Sequence, residues 1–320
     1  MPIEKITSRK SSVVKNAAAL LQKAENRSEA GLFMAEGARL CADAARSQTE
    51  IAACLFTENA DKKYKDYLDP VLKQTEHAYC IEEHIAPMLS DTKNPQGIFC
   101  VCRMPKRHAD GLPVSAESDT RLCRHVLVME NIQDPSNMGN VLRTAEALGV
   151  RHLALVGTCC DVYAPKVLRG SMGAVFRLGI RRFETVEDCL KVLHAENITS
   201  LAAVPDSDAT PITTIPFETG NWAVWIGNEG NGLTNEAIEH CHDRVTIPMR
   251  GRAESLNAAT AGESIRNKDV YIVQSIGKDP NNAFTELIFW IDAFKRASAN
   301  SITAIIPYFG YAKADKKDEP

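Results

Sequence analysis

Residues 125–156 read HVLVMENIQDPSNMGNVLRTAEALGVRHLALV, and this stretch decides the fold. The apolar run from His125 to Met129 has the length of a buried strand. Asp134-Pro135-Ser136 is a turn that can also cap a following helix. A helical pattern covers Val141 to Leu148 and closes at Gly149, and His152 to Val156 is a second apolar run. Strand, helix and strand at this spacing predict two parallel strands joined by a crossover.

The same alternation continues downstream. Helices are predicted around Pro165 to Met172 and Val186 to His194, with strands at Leu201 to Val204, Ala223 to Ile226 and Arg244 to Ile247. This is an α/β pattern, a parallel sheet with both faces covered, and in such sheets ligands bind beyond the carboxyl ends of the strands. Upstream, residues 1–104 read as a smaller mixed α/β unit with helices at Val13 to Lys23 and Glu36 to Arg46. Its predicted strands are Ile51 to Phe56 and Gly97 to Cys102. Between the two, residues 105–121 are polar and carry Pro105, Gly111 and Pro113, the composition of a linker. The second domain then spans residues 122–262.

The bulk properties are those of a soluble globular protein: 320 residues, 44% hydrophobic and 24% charged. Met1 to Lys10 is polar and offers no secretory h-region, and no apolar run reaches the length of a membrane span. A cytoplasmic protein with no membrane partner is expected. A net charge of −4 gives no global electrostatic case for nucleic acid. Residues 1–27 are locally basic, with Lys5, Arg9, Lys10, Lys15, Lys23 and Arg27, which suits either a phosphate-tracking arm or a solvated helix face. The ten cysteines lack zinc or redox spacing, so no metal is expected and buried reduced thiols are.

Three loops stand at predicted strand ends. The first is NIQDPSNMGN, residues 131–140, followed by Arg143; taken alone it also fits an ordinary strand–turn–helix with a surface arginine. The second is GNEGNG, residues 227–232, where three glycines around Glu229 let the backbone approach a ligand. It is neither a dinucleotide fingerprint nor a P-loop. The third is IPMRGRAESLN, residues 247–257, with Ser255 placed to cap a helix opening at Leu256.

In this order the three loops resemble the motifs of the SpoU (TrmH-like) family of RNA ribose methyltransferases. APKVLRGSMG at 164–173 resembles that family too, and ITSRK at 6–10, EAGLFMAEG at 29–37 and SDTKNPQG at 90–97 are similar to its substrate-binding domain. The resemblance covers residues 1–261. It implies a small N-terminal RNA-binding domain and a trefoil-knotted, parallel-sheet methyltransferase domain that binds S-adenosylmethionine. The cofactor pocket would use the backbone at Gly227, Ile247 and Leu256. Arg143 would activate the ribose 2′-hydroxyl, with Asn131, Glu229, Ser255 and Asn257 orienting it and the ribose. The resemblance also implies an RNA partner, ribosomal or transfer RNA, and a homodimer.

The family pattern breaks after Ala261, where polar residues replace the long apolar helix that completes the knot. ESIRNKDVYIVQS at 263–275, DAFKRAS at 292–298 and ITAIIPYFGYA at 302–312 are similar to an early portion of ribose-phosphate pyrophosphokinase. Lys313 and Ala314 depart from that family, and its phosphoribosyl-binding loop is missing, so no kinase activity is expected. Residues 263–320 read as strand (Val270 to Gln274), helix (Asn282 to Ala297) and strand (Ile302 to Ile306). All ten cysteines precede residue 262, a shift consistent with two origins. The alternative to an active enzyme is a catalytically impaired RNA-binding protein with an incomplete knot.

Overall fold

The computed structural model describes residues 2–105, 125–217, 219–228, 230–247, 269–273 and 301–305. The first sheet takes its strands from β1 (Ile3–Ile6), β2 (Leu32–Glu36), β3 (Ile51–Thr57), β4 (His77–Ile81) and β5 (Ile98–Arg103), in the order β1-β4-β3-β5-β2. β1, β4 and β3 run parallel, whereas β5 is antiparallel to both β3 and β2. Around it lie α1 (Ser12–Ala19), α2 (Ala24–Ala30), α3 (Ala38–Arg46), α4 (Glu58–Lys63) and α5 (Lys65–Leu72).

The predicted alternation appears in the second sheet. β6 (His125–Glu130), α6 (Pro135–Ala147), β7 (His152–Val156), α7 (Pro165–Gly170), β8 (Gly179–Phe183), α8 (Val186–Ala195) and β9 (Thr199–Ala203) follow one another. After the two-residue strand β10 (Thr210–Pro211) come β11 (Trp222–Ile226), α9 (Asn235–His240) and β12 (Asp243–Thr246). The sheet order is β10-β12-β9-β11-β6-β7-β8, and the pairs from β12 across to β8 are parallel. The chain leaves β6 towards β7 on one side and β11 towards β12 on the other. Their junction is therefore the topological switch point, where open α/β sheets open a crevice for ligands.

Period-two alternation decides which face each side chain buries. On β5, Ile98, Cys100 and Cys102 enter one core while Phe99 and Val101 enter another. On β6 and β7, Leu127, Met129, Leu153 and Leu155 share that first core, and Val128, Ala154 and Val156 face α8 and α9. One apolar cluster thus runs from Phe33 in the first sheet to Met129 and Val167 in the second domain. The ring of Phe33 stacks on Tyr163 with centroids 4.5 Å apart.

The cysteines behave as small apolar residues. Cys41, Cys54, Cys100 and Cys102 are buried free thiols, and burial pushes the last two well above the ordinary thiol range. The basic N-terminal run is neither a free arm nor one solvated face. Lys5 pairs with Glu58 and Glu82, Arg9 donates to the His84 carbonyl, and Arg27 is buried; Lys10, Lys15 and Lys23 remain exposed.

Several elements are not legible in the sequence. β1 and β8 are sheet edges with charged side chains, which blunts the apolar signal that marks a strand. α6 starts at Pro135, six residues before the predicted start, because the Asp134 cap holds residues 135–140 helical although Met138 is their one large apolar side chain. Among the described residues no helix is long and apolar enough to cross a membrane. Residues 106–121 of the linker predicted at 105–121, the segment that would thread the knot and the helix predicted at 282–297 lie outside the described residues. In the second compact unit, β13 (Asp269–Val273) and β14 (Ser301–Ile305) pair in parallel, as a strand–helix–strand reading requires.

Candidate active site at the carboxyl ends of β6 and β11

β6 ends on a buried carboxylate. Glu130, 2% exposed, accepts hydrogen bonds from the Thr234 backbone N–H at 2.9 Å and its hydroxyl at 2.7 Å. Thr234 is also the N-cap of α9, accepting from the Ala237 N–H. One side chain thereby fixes the end of β6 to the exit of the loop that follows β11.

Asn131 comes next, with a φ of +56°. Asparagine tolerates this left-handed conformation better than most residues. The turn aims its side chain at the loop after β7: Oδ1 accepts from the Thr158 N–H at 2.9 Å. A Cβ at Gly157 would sit 2.6 Å from that oxygen, so only glycine admits the contact. The Asn131 carbonyl meanwhile accepts from Nδ2 of Asn228 at 3.1 Å.

Asn228 shapes the second loop. Its Oδ1 accepts from the Gly230 N–H at 2.8 Å and the Asn231 N–H at 3.3 Å, while its backbone exchanges hydrogen bonds with Gly232. The loop folds back so tightly that a Cβ on Gly227 would lie 2.1 Å from the Gly232 carbonyl carbon. Sequence reasoning passes over Asn228, Glu130 and Thr234. The Asn-x-Gly spacing at 228–230 is the available signal for an Asx turn.

In the first loop Asp134 accepts from the N–H groups of Ser136 and Asn137 at 2.8 and 2.9 Å, capping α6 with Pro135 at its first turn. The Asn137 N–H, more than any other group, holds its carboxyl below the usual aspartate range. Gly139 lets α6 cross α7 at contact distance, since a Cβ there would lie 3.0 Å from the Gly170 Cα. Two of the motif's fixed positions, Asp134 and Gly139, are thus explained by structure.

Arg143 is different. It is the ninth of thirteen residues of α6, about 12 Å along the axis from Pro135. It is exposed and pairs with no described residue. The structure therefore joins Asn131 to the Gly227–Gly232 loop, and no hydrogen bond or ion pair ties Arg143 to the described residues of either. Ile247 directly follows β12; Glu229, Ser255, Leu256 and Asn257 lie outside the described residues. Among the described residues no cluster of acidic, histidine or cysteine side chains could hold a metal. A cavity of about 510 Å³ beside Cys241, His242 and Asp243 opens where β12 begins, at the opposite end of the sheet from these loops.

Residues 124–265 match the family described as SpoU rRNA methylase, and residues 11–100 match the MRM3-like substrate binding domain. An uncharacterized tRNA/rRNA methyltransferase of Synechocystis sp. is 30% identical over 259 residues, 81% of this chain and 90% of that protein. This chain belongs to the SpoU family.

The Bacillus subtilis 23S rRNA (guanosine(2553)-2′-O)-methyltransferase RlmP is 28% identical over 81% of the chain and 96% of its own length. The crystal structure of the SpoU methyltransferase AviRb of Streptomyces viridochromogenes, in complex with AdoMet, superposes with a TM-score of 0.67 at 26% identity. It covers 79% of this chain and 94% of that one. The tail has a separate likeness. Residues 236–320 match the N-terminal domain of ribose phosphate pyrophosphokinase, and the Campylobacter jejuni enzyme is 57% identical over 58 residues, only 19% of its length. The two family matches overlap at 236–265, so the sequence break after Ala261 falls inside a stretch both describe.

Proposed function

We propose that this SpoU-family chain transfers a methyl group from S-adenosylmethionine to a ribose 2′-hydroxyl of ribosomal RNA. The observation that carries the proposal is the closed hydrogen-bonded junction of the first two motif loops at the switch point, from Glu130 and Asn131 to Asn228 and Thr234. The cofactor would be held through neutral backbone groups at Gly227, Ile247 and Leu256; at Gly227 the loop has no room for a Cβ, which leaves the backbone bare for a ligand. When bound, S-adenosylmethionine supplies a methyl group already activated by its sulfonium charge.

The chain's own residues supply position and proton handling. Asn131, held rigid on both sides, orients the ribose with Glu229, Ser255 and Asn257. Arg143 acts on the 2′-hydroxyl. A free guanidinium is too basic to accept a proton near neutrality, so Arg143 works in concert with an RNA phosphate. Arg143 is exposed and open to a substrate, and a homodimer is proposed from the family resemblance. Residues 1–104 grip the RNA and 122–262 carry the chemistry, joined by the linker at 105–121. Residues 263–320 are an appended fragment without kinase activity, and transfer RNA remains the second candidate substrate of a cytoplasmic reaction.

The test is transfer of labelled methyl from S-adenosylmethionine to in vitro transcribed 23S rRNA, with the product mapped for ribose methylation. Arg143→Ala is expected to leave cofactor binding by calorimetry unchanged and to lower the transfer rate at least about a hundredfold. Near-normal turnover of that variant removes Arg143 from the mechanism. No binding of cofactor at millimolar concentration by the parent chain favours the alternative, an impaired RNA-binding protein.

A further inference from the structure

Asn131 is positioned by the loop between β7 and α7, and that loop is itself held from the N-terminal domain. Arg27 on α2 is 3% exposed, an unusual place for an arginine. Its Nε donates to Asp161 Oδ2 at 2.6 Å and its Nη1 to the Leu20 carbonyl at 2.7 Å. One guanidinium thus ties the end of α1 to a carboxylate in the methyltransferase domain. Such a fork needs the planar geometry of arginine, which lysine copies only in part.

From Asp161 the ties run straight to the site. Asp161 Oδ1 accepts from the Tyr163 N–H at 2.9 Å, and its neighbour Cys160 donates its N–H to the Ile132 carbonyl at 2.9 Å. Three residues earlier, the Thr158 N–H donates to Asn131 Oδ1. Arg182 braces the same loop through the Cys159 and Cys160 carbonyls. Residues 157–163 are therefore fastened to Asn131 and Ile132 at one end and to Arg27 at the other.

We propose that Arg27 is a positioning residue for methyl transfer: through Asp161 and the 157–163 loop it sets where Asn131 stands, so the substrate-binding domain fixes part of the catalytic geometry. This rests on the methyltransferase function proposed above.

The experiment uses the full chain with Arg27→Gln, Arg27→Lys, Asp161→Asn and the Arg27→Gln/Asp161→Asn double variant. Amide hydrogen exchange is read at Thr158 and Cys160, and single-turnover transfer to 23S rRNA transcript is read against RNA concentration. For Arg27→Gln, exchange at both amides is expected to quicken about tenfold or more. The saturating rate should fall about a hundredfold, the cost of a small misplacement of a positioning group, with half-saturation by RNA within about twofold. Arg27→Lys should recover part of the rate, and the double variant should be no worse than either single one.

A folded Arg27→Gln protein with parental exchange at Thr158 overturns the proposal. So does a loss confined to RNA half-saturation, or an equal loss in Arg27→Gln and Arg27→Lys that tracks melting temperature alone. If Arg27→Gln does not fold, the milder Asp161→Asn takes its place, with the same measurements and the same outcomes for and against. If the parent transfers no methyl group, the function proposal fails separately and exchange at Thr158 decides this one.

Discussion

The two sheets are built from the same layers but use their polar side chains differently. At the end of β2 in the first sheet, Glu36 accepts from Ser90 and Thr92, and Arg169 of α7 pairs with Asp91 and approaches Glu36 at 3.9 Å. That cluster fastens one domain to the other. In the second sheet, Glu130, Asn131 and Asn228 fasten loops to each other at the switch point. The lesson is that the described polar residues of the first two motif loops hold those loops in shape. Arg143, exposed on α6, pairs with no described residue.

Substitutions in the second sheet test this division most sharply. Gly227→Ala should have the largest effect, because no adjustment of side chains relieves a Cβ 2.1 Å from backbone. Calorimetry should find cofactor affinity down at least about a hundredfold, since the loop must open to admit a methyl group. Unchanged affinity would detach the loop from the cofactor. Glu130→Ala removes the acceptor of two hydrogen bonds in a buried place. Urea denaturation should register a loss of about 2–3 kcal/mol, with transfer at saturation lowered as the second loop loosens. A stability loss with full activity would mean that the tie is not needed for catalysis.

Smaller effects are expected where a motif residue is structural only. Gly139→Ala presses a methyl group against Gly170 and should cost about 1–3 kcal/mol, read as a fall in melting temperature with cofactor affinity preserved. Asp134→Ala removes the α6 cap and should cost about 1 kcal/mol. The pH dependence of that contribution follows from its sign. The folded carboxyl is held below the usual range, so the stabilisation is complete above the ordinary aspartate value near 4 and is lost as pH falls through the lowered folded value. The stability of the Asp134→Ala protein should therefore converge on that of the parent as pH falls through the lowered folded value. A gap that widens on acidification would contradict the cap.

The second sheet is legible in the sequence because its central strands are apolar on both faces and its helices are periodic. The apolar runs predict β7 to its observed ends, and β6 and β11 to within a residue. β1 and β8 are not legible, since edge strands with Lys5 or Arg181 and Arg182 carry no continuous apolar run. The candidate site is legible as motifs but not as contacts. The family resemblance points to Asn131, Gly227 and Arg143, whereas Glu130 acts through Thr234, 104 positions away, and Asn228 joins its local turn to the Asn131 carbonyl, 97 positions away.

By itself the sequence determined the α/β class, the family and the positions of its motif loops, because strand and helix periods and motif spacing are local properties of the chain. Only the tertiary structure decided how those loops are held. Glu130 finds Thr234, Asn131 finds Thr158 and Asn228, and Arg27 finds Asp161 across 134 positions. Such pairings depend on strand order and on which face each residue buries. Neither is written in any single segment, because both arise when separate segments pack into one core.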